Sequence, residues 1–192
     1  MNRYNPNIHH RKSIRLKGYD YSQAGLYFIT ICTHNRQCLF GEIVHNEMVV
    51  NDFGHIADRH WEKLSERFQN FELDVFQIMP NHMHGIILLT NPVGAGFTPA
   101  PIDGATVPID GPTVGATARV APTVGGIVGA YKSLVSNECL EIFKQKFPGD
   151  YMGKLWQRNY HEHIIRDEQS YHRIANYIIN NPQNWKNDKF RK

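Results

Sequence analysis

The chain has few cysteines, no long apolar run and no strong excess of charge, and each shortage removes a class of protein. Its three cysteines, Cys32, Cys38 and Cys139, are odd in number and lack the close pairs of a zinc ribbon. They also lack the regular framework of a secreted disulfide scaffold, so a reducing, cytoplasmic setting is expected. No stretch of about 18 apolar residues is present for a membrane span, and the first 20 residues hold no apolar signal-peptide core. A net charge of +3 is too small to argue for a nucleic-acid partner by itself.

The distribution of charge says more than its sum. Residues 1–19 carry Arg3, Arg11, Lys12, Arg15 and Lys17 with no acidic residue, interleaved with His9, His10 and two tyrosines. Such an arm can neutralise phosphates and offer stacking surfaces, although a solvated terminus has the same composition. At 192 residues the chain fits one domain with a real core. Residues 92–126 interrupt it with Pro-Ile-Asp-Gly-Ala-Thr-Val, then Pro-Ile-Asp-Gly-Pro-Thr-Val, then more Gly, Ala, Thr and Pro. This segment has little to bury and reads as a low-complexity insertion, not a second domain.

Around the insertion the pattern alternates between strand and helix. Leu26–Thr33 is dense in β-branched and aromatic residues and forms the first expected strand, with a second over Ile43–Val50. Asn51 or Asp52 caps a helix whose apolar positions include Ile56, Trp61, Leu64 and Phe68. Strands follow over Phe71–Met79 and His82–Leu89, the latter central because it is nearly all apolar after His84. A helix from Ile127 to about Lys146 ends at Phe147-Pro-Gly149. A short strand within Leu155–Arg166 puts His161 and His163 on one side, and Asp167 caps a final helix that Pro182 ends. The order predicts an α+β, ferredoxin-like (RRM-like) antiparallel sheet with helices packed on one face.

Two features carry chemistry. In Phe76-Gln-Ile-Met-Pro-Asn-His-Met-His-Gly-Ile-Ile-Leu-Leu89, strand alternation points His82 and His84 the same way, so two nitrogen donors can hold one cation. In the last helix, Tyr177 and Asn181 are four residues apart and share a face. With Tyr171, Ile174, Ala175 and Ile178 as the buried stripe, Tyr177 lies about 110° from its centre, on the flank, and Asn181 falls between them.

The His-hydrophobic-His strand, the late tyrosine, Trp156-Gln-Arg158, Glu162-His-Ile-Ile-Arg166 and Tyr177-Ile-Ile-Asn-Asn-Pro182 together resemble the single-tyrosine HUH transposases. The resemblance is strongest to the REP-associated tyrosine transposases, relatives of the IS200/IS605 group. It runs from the Ser13–Tyr21 segment to Trp185, leaving out the insertion. It implies His82 and His84 as the metal pair, Asn181 as a third, polar ligand and Tyr177 as the nucleophile. It also implies a divalent cation, Mg2+ or Mn2+, and a hairpin-bearing single-stranded DNA substrate cut through a 5′-phosphotyrosine intermediate.

Candidate phosphate or DNA contacts are Arg11, Lys12, Arg15, Lys17, Lys132, Arg158, His163 and Arg166. Imidazole suits manganese better than magnesium, so two histidines and an amide predict a weak site that DNA phosphate completes. A non-catalytic hairpin-binding protein of the same fold is the alternative. A barrel amidohydrolase also uses His-x-His, but needs about 250 residues and another element order. Monomer and homodimer both stay open, and a DNA substrate places the protein in the cytoplasm of a prokaryote, with the nucleoid.

Overall fold

The computed structural model describes residues 18–90 and 122–191. The arm residues Arg11, Lys12, Arg15 and Lys17, and most of the 92–126 insertion, lie outside these residues. Four strands form the main sheet: β1 (Gly25–Cys32), β4 (Phe71–Met79), β5 (His82–Leu89) and β6 (His161–Ile165). Their order is β4-β5-β1-β6, and every neighbouring pair is antiparallel. Helices α1 (Asp52–Glu62) and α3 (Val124–Lys146) complete the βαββαβ succession expected of a ferredoxin-like fold.

Alternation divides the sheet into two working faces. Tyr27, Ile29 and Ile31 of β1, with Met83 and Ile87 of β5, pack against Ile56, Trp61, Val128 and Tyr131 of α1 and α3. The opposite face carries Phe28 and Ile86, and it is covered by Ile174, Ala175 and Ile178 of α4 (Glu168–Ile179). The two helices of the βαββαβ unit therefore share one face as predicted, while α4 lies on the other. His82 and His84 have the parity of Ile86, so they point to the face that α4 covers.

Local chemistry explains the element boundaries. Asn51 Oδ1 accepts a hydrogen bond from Gly54 N at 3.0 Å and starts α1, and Asp167 Oδ1 does the same for α4 through Ser170 N at 2.7 Å. Thr123 caps α3 in the same way, so that helix begins at Val124, and residues 124–126 belong to it and not to the insertion. The expected strand over Ile43–Val50 is a hairpin: β2 (Gly41–Val44) and β3 (Glu47–Val50) pair across His45 and Asn46. Both turn residues have positive φ, 50° and 67°, as a two-residue hairpin turn of this hand requires. The first helix also stops early. It breaks at Lys63, and Leu64 opens the short α2 (Leu64–Arg67).

Gly85 of β5 sits under the buried indole of Trp61, and a Cβ there would lie 2.5 Å from Trp61 Cζ2. The clash meets a fully enclosed ring, so the neighbours cannot simply move aside. Gly85→Ala should therefore destabilise the protein by about 1–3 kcal/mol. A lower urea midpoint at unchanged slope checks this; an unchanged midpoint would show that the ring relocates freely.

Candidate metal and tyrosine site

The site is built on β5, an inner strand flanked on both sides by partners; the ladder with β4 is interrupted only between Leu73 and Phe76, away from the histidines, whose side chains are held in register. Cys32 and Thr30 of β1 lie opposite His82 and His84, and Met79 and Gln77 of β4 flank them on the other side. Both histidines are fully buried, with 0% exposure. Their Nε2 atoms are 3.1 Å apart.

Hydrogen bonds to the outer nitrogens set what the inner ones can do. The Asn81 amide donates to the carbonyls of Arg36 (3.2 Å) and Phe190 (2.8 Å), which fixes its orientation and leaves Oδ1 facing His82. His82 Nδ1–H therefore donates to Asn81 Oδ1 at 2.8 Å, and the lone pair of His82 is left on Nε2. His84 Nδ1 is 2.8 Å from Thr30 Oγ1, a partner that can serve the same purpose. Burial disfavours the charged ring in both, pushing His82 down to about 4 and His84 well below its ordinary value, the latter further lowered by His82.

From the other side α4 brings Tyr177 to the pair. Its hydroxyl is 3.2 Å from His84 Nε2 and donates toward Asp188 Oδ2 at 3.4 Å. The residue is 36% exposed, in keeping with the flank position expected from the helical stripe. Burial, and then the Asp188 charge, push the phenol up to about 12. Asn181 is 1% exposed and lies beyond the helix, which ends at Ile179 with Asn180 as its cap. The following turn still carries it inward: Asn181 Nδ2 donates to Asp188 Oδ2 at 2.9 Å. Its Oδ1 is buried with no hydrogen-bond partner among the described residues.

Asp188 was not expected from the sequence. It sits seven residues past Asn181, in a short segment without periodicity, and the only signal was an acidic residue among cations near the chain end. Its carboxylate joins His82 and His84 in a cluster whose ligand atoms all lie within 4.8 Å of one another. Two imidazoles, a carboxylate and an amide oxygen without a hydrogen-bond partner among the described residues are a donor set that fits a divalent cation, which would displace the proton shared by the two Nε2 atoms. The carboxylate would add a hard anionic ligand to the expected pair of histidines and an amide.

The remaining candidates divide. His161 and His163 of β6 stand opposite Thr30 and Phe28, on the face of the histidine pair. Lys132 is engaged elsewhere: Nζ donates to the carbonyls of Gln157, Arg158 and Asn159 at 2.8, 3.3 and 3.2 Å, and burial pulls it down to about 8. Arg158 is exposed on that same loop. Arg166 lies at the far end of β6, by the groove that Tyr171 lines. Among the described residues no helix is long and apolar enough to cross a membrane.

The neutral, buried His82 has a stability consequence. Because its folded value of about 4 is below the unfolded value of 6.5, the unfolded chain binds the proton more readily. The associated stability is present above about pH 6.5 and is lost as pH falls through 4. In chelator, the urea midpoint should drop over this window in the parent protein and drop less in His82→Gln. Equal pH dependence in both would contradict the burial argument.

No protein-family model matches the chain. A solved structure of a REP-associated tyrosine transposase bound to a REP hairpin shares its fold, with a TM-score of 0.54 and 17% identity over 89% of this chain and 74% of that one. A protein of Haemophilus influenzae strain Rd, described as an uncharacterized protein, is 42% identical over 191 residues, which is 97% of this chain and 96% of its own length. Identity of that extent over nearly the full length of both shows that the chain belongs to one family with this Haemophilus influenzae protein.

Proposed function

We propose that the protein cuts and rejoins single-stranded DNA at hairpin-bearing ends, as a metal-dependent tyrosine transposase. The observation that carries this reading is the approach of the Tyr177 hydroxyl to 3.2 Å from His84 Nε2, across 93 residues of sequence. A tyrosine that merely packed on its helix would have no need of a buried imidazole pair. The ferredoxin-like fold, shared with a transposase captured on a REP hairpin, supports the substrate class.

In this reading His82, His84, Asp188 and the Asn181 amide oxygen hold the cation. When bound it would polarise the scissile phosphate and offset the charge that builds on its oxygens. Tyr177 supplies the nucleophilic oxygen. The Asp188 carboxylate, 3.4 Å away, is the acceptor in reach for its proton; His84 Nε2, at 3.2 Å, would be taken up by the cation and could not accept it. The phenolic oxygen attacks phosphorus, the bond to the 3′-oxygen breaks, and that oxygen takes a proton to leave as a hydroxyl. The 5′ end stays esterified to Tyr177. One phosphoester has replaced another, so a second 3′-hydroxyl can reverse the step without ATP. Burial first, and then the Asp188 charge, raise the phenol to about 12 and so disfavour the phenolate; a bound cation would offset the second of these.

Asn81 acts through His82 and not on the substrate. It holds the tautomer that leaves the inner nitrogen open to a cation.

Two measurements test the reading. A hairpin oligonucleotide incubated with the protein and Mn2+ should give a covalent adduct on a denaturing gel, lost below detection in Tyr177→Phe while hairpin binding persists; an adduct of undiminished yield in Tyr177→Phe would sink the assignment. Asn81→Ala should weaken Mn2+ binding by about 10–100-fold in a calorimetric titration, with the far-ultraviolet circular dichroism unchanged. Unaltered affinity would remove the tautomer argument.

A further inference from the structure

Beside the histidine pair, on the β6 side, a cleft of about 420 Å³ opens between the sheet, the Arg36 turn and the C-terminal segment. Phe28, Thr30 and His163 form its floor, and Arg36, Lys189 and Phe190 close its rim. Thr30 hydrogen-bonds His84 Nδ1, so the cleft adjoins the metal and tyrosine cluster directly. The Phe28 ring centroid is 5.3 Å from that of His84 and 6.3 Å from that of Tyr177.

The walls divide by chemistry. The floor offers an aromatic ring beside an imidazole, since Phe28 and His163 are paired across β1 and β6 and share a face. The rim offers two cations, Arg36 and Lys189, held near each other: Arg36 Nη1 donates to the Lys189 carbonyl at 2.9 Å, and both charged groups lie over the Phe190 ring. Glu162 also lines the cleft, but strand alternation pairs it with Ile29 of the α1 and α3 core, and its carboxylate oxygens are buried. Asn35 and Arg36 both hold positive φ, 54° and 55°, which non-glycine residues keep only when anchored from outside. The Asn81 amide on the Arg36 carbonyl is such an anchor, so one residue fixes both the His82 tautomer and the position of the Arg36 turn.

We infer that this cleft is a nucleotide subsite: it receives the base of a single-stranded DNA residue adjoining the scissile phosphate, stacked on Phe28 and His163, with the phosphate of that residue against Arg36 and Lys189. Stacking on a ring, combined with a cationic rim, recognises single strands, because a paired base does not expose its face. The subsite rests on the proposed strand-transfer reading, and it explains how the strand would be held in place for attack.

The test uses the full chain carrying Tyr177→Phe, which binds without chemistry, and short oligothymidines with one 2-aminopurine moved along the strand. At one position the fluorophore should be quenched on saturation. Adding His163→Ala should remove that quenching and weaken binding about five- to tenfold, and His163→Phe, which keeps a ring, should retain both. Adding Arg36→Ala should reduce the slope of log affinity against log salt by about one, a readout that a purely structural role would not move. Unquenched probes at every position would overturn the subsite, as would His163→Ala and Arg36→Ala variants that bind like the Tyr177→Phe protein with intact circular dichroism. Quenching lost in His163→Ala without any covalent adduct from the parent protein would retain the subsite and reject strand transfer. An adduct with unaltered variant binding would do the reverse.

Discussion

Two imidazole nitrogens 3.1 Å apart in a fully buried pocket are the constraint on which the rest of this structure depends. At that separation and without water, two positive rings cannot coexist, so burial holds the pair neutral. Neutrality alone does not make a ligand pair; the lone pairs must also point inward. Asn81 settles that at His82, because its own orientation is dictated by two backbone carbonyls and only its oxygen is left for the ring. An uncharged pair beside a carboxylate would favour a cation, which would replace the proton that the two Nε2 atoms share, and the Tyr177 hydroxyl stands at its edge.

The fold supplies this arrangement from three distant pieces of chain. The ladder of β5 with β1 and β4 fixes the histidines in register, and α1 and α3 seal the reverse face with Trp61 and Tyr131. On the near face α4 anchors through Ile174, Ala175 and Ile178, which leaves Tyr177 at the flank. The C-terminal segment then closes the site. Phe190 is 4% exposed, with its ring centroid 4.9 Å from that of His82, and its carbonyl takes the Asn81 amide. Asp188, two residues earlier, receives the amide of Asn181 and faces Tyr177. The segment that carries the carboxylate is thus also the segment that excludes water, and Asp188 acts at short range because of it.

How much of this could be read from residues alone follows from the range of the forces involved. Strand period and turn chemistry are local, so Phe71–Met79 and His82–Leu89 were predicted with the boundaries observed, and Asn51 and Asp167 were legible as caps. The hairpin of β2 and β3 was hidden because its turn is His45-Asn46, without the glycine that marks such turns. The flank position of Tyr177 came from helical geometry. Its meeting with the histidines was expected through the family resemblance, since no local pattern links residues 93 apart. Asp188 was invisible for the same reason and had no periodicity to betray it. At Lys132, a cation on a helix suggested phosphate, and in the fold its Nζ donates to three carbonyls, contacts that no local pattern announces.

In the proposed reading the imidazoles of His82 and His84 converge with the Asp188 carboxylate on one cation beside Tyr177. Anomalous diffraction from a crystal soaked in manganese measures this directly. One dominant peak is expected, at bonding distance from both Nε2 atoms and an Asp188 oxygen. A crystal with full manganese occupancy elsewhere and no peak between the two imidazoles would contradict it.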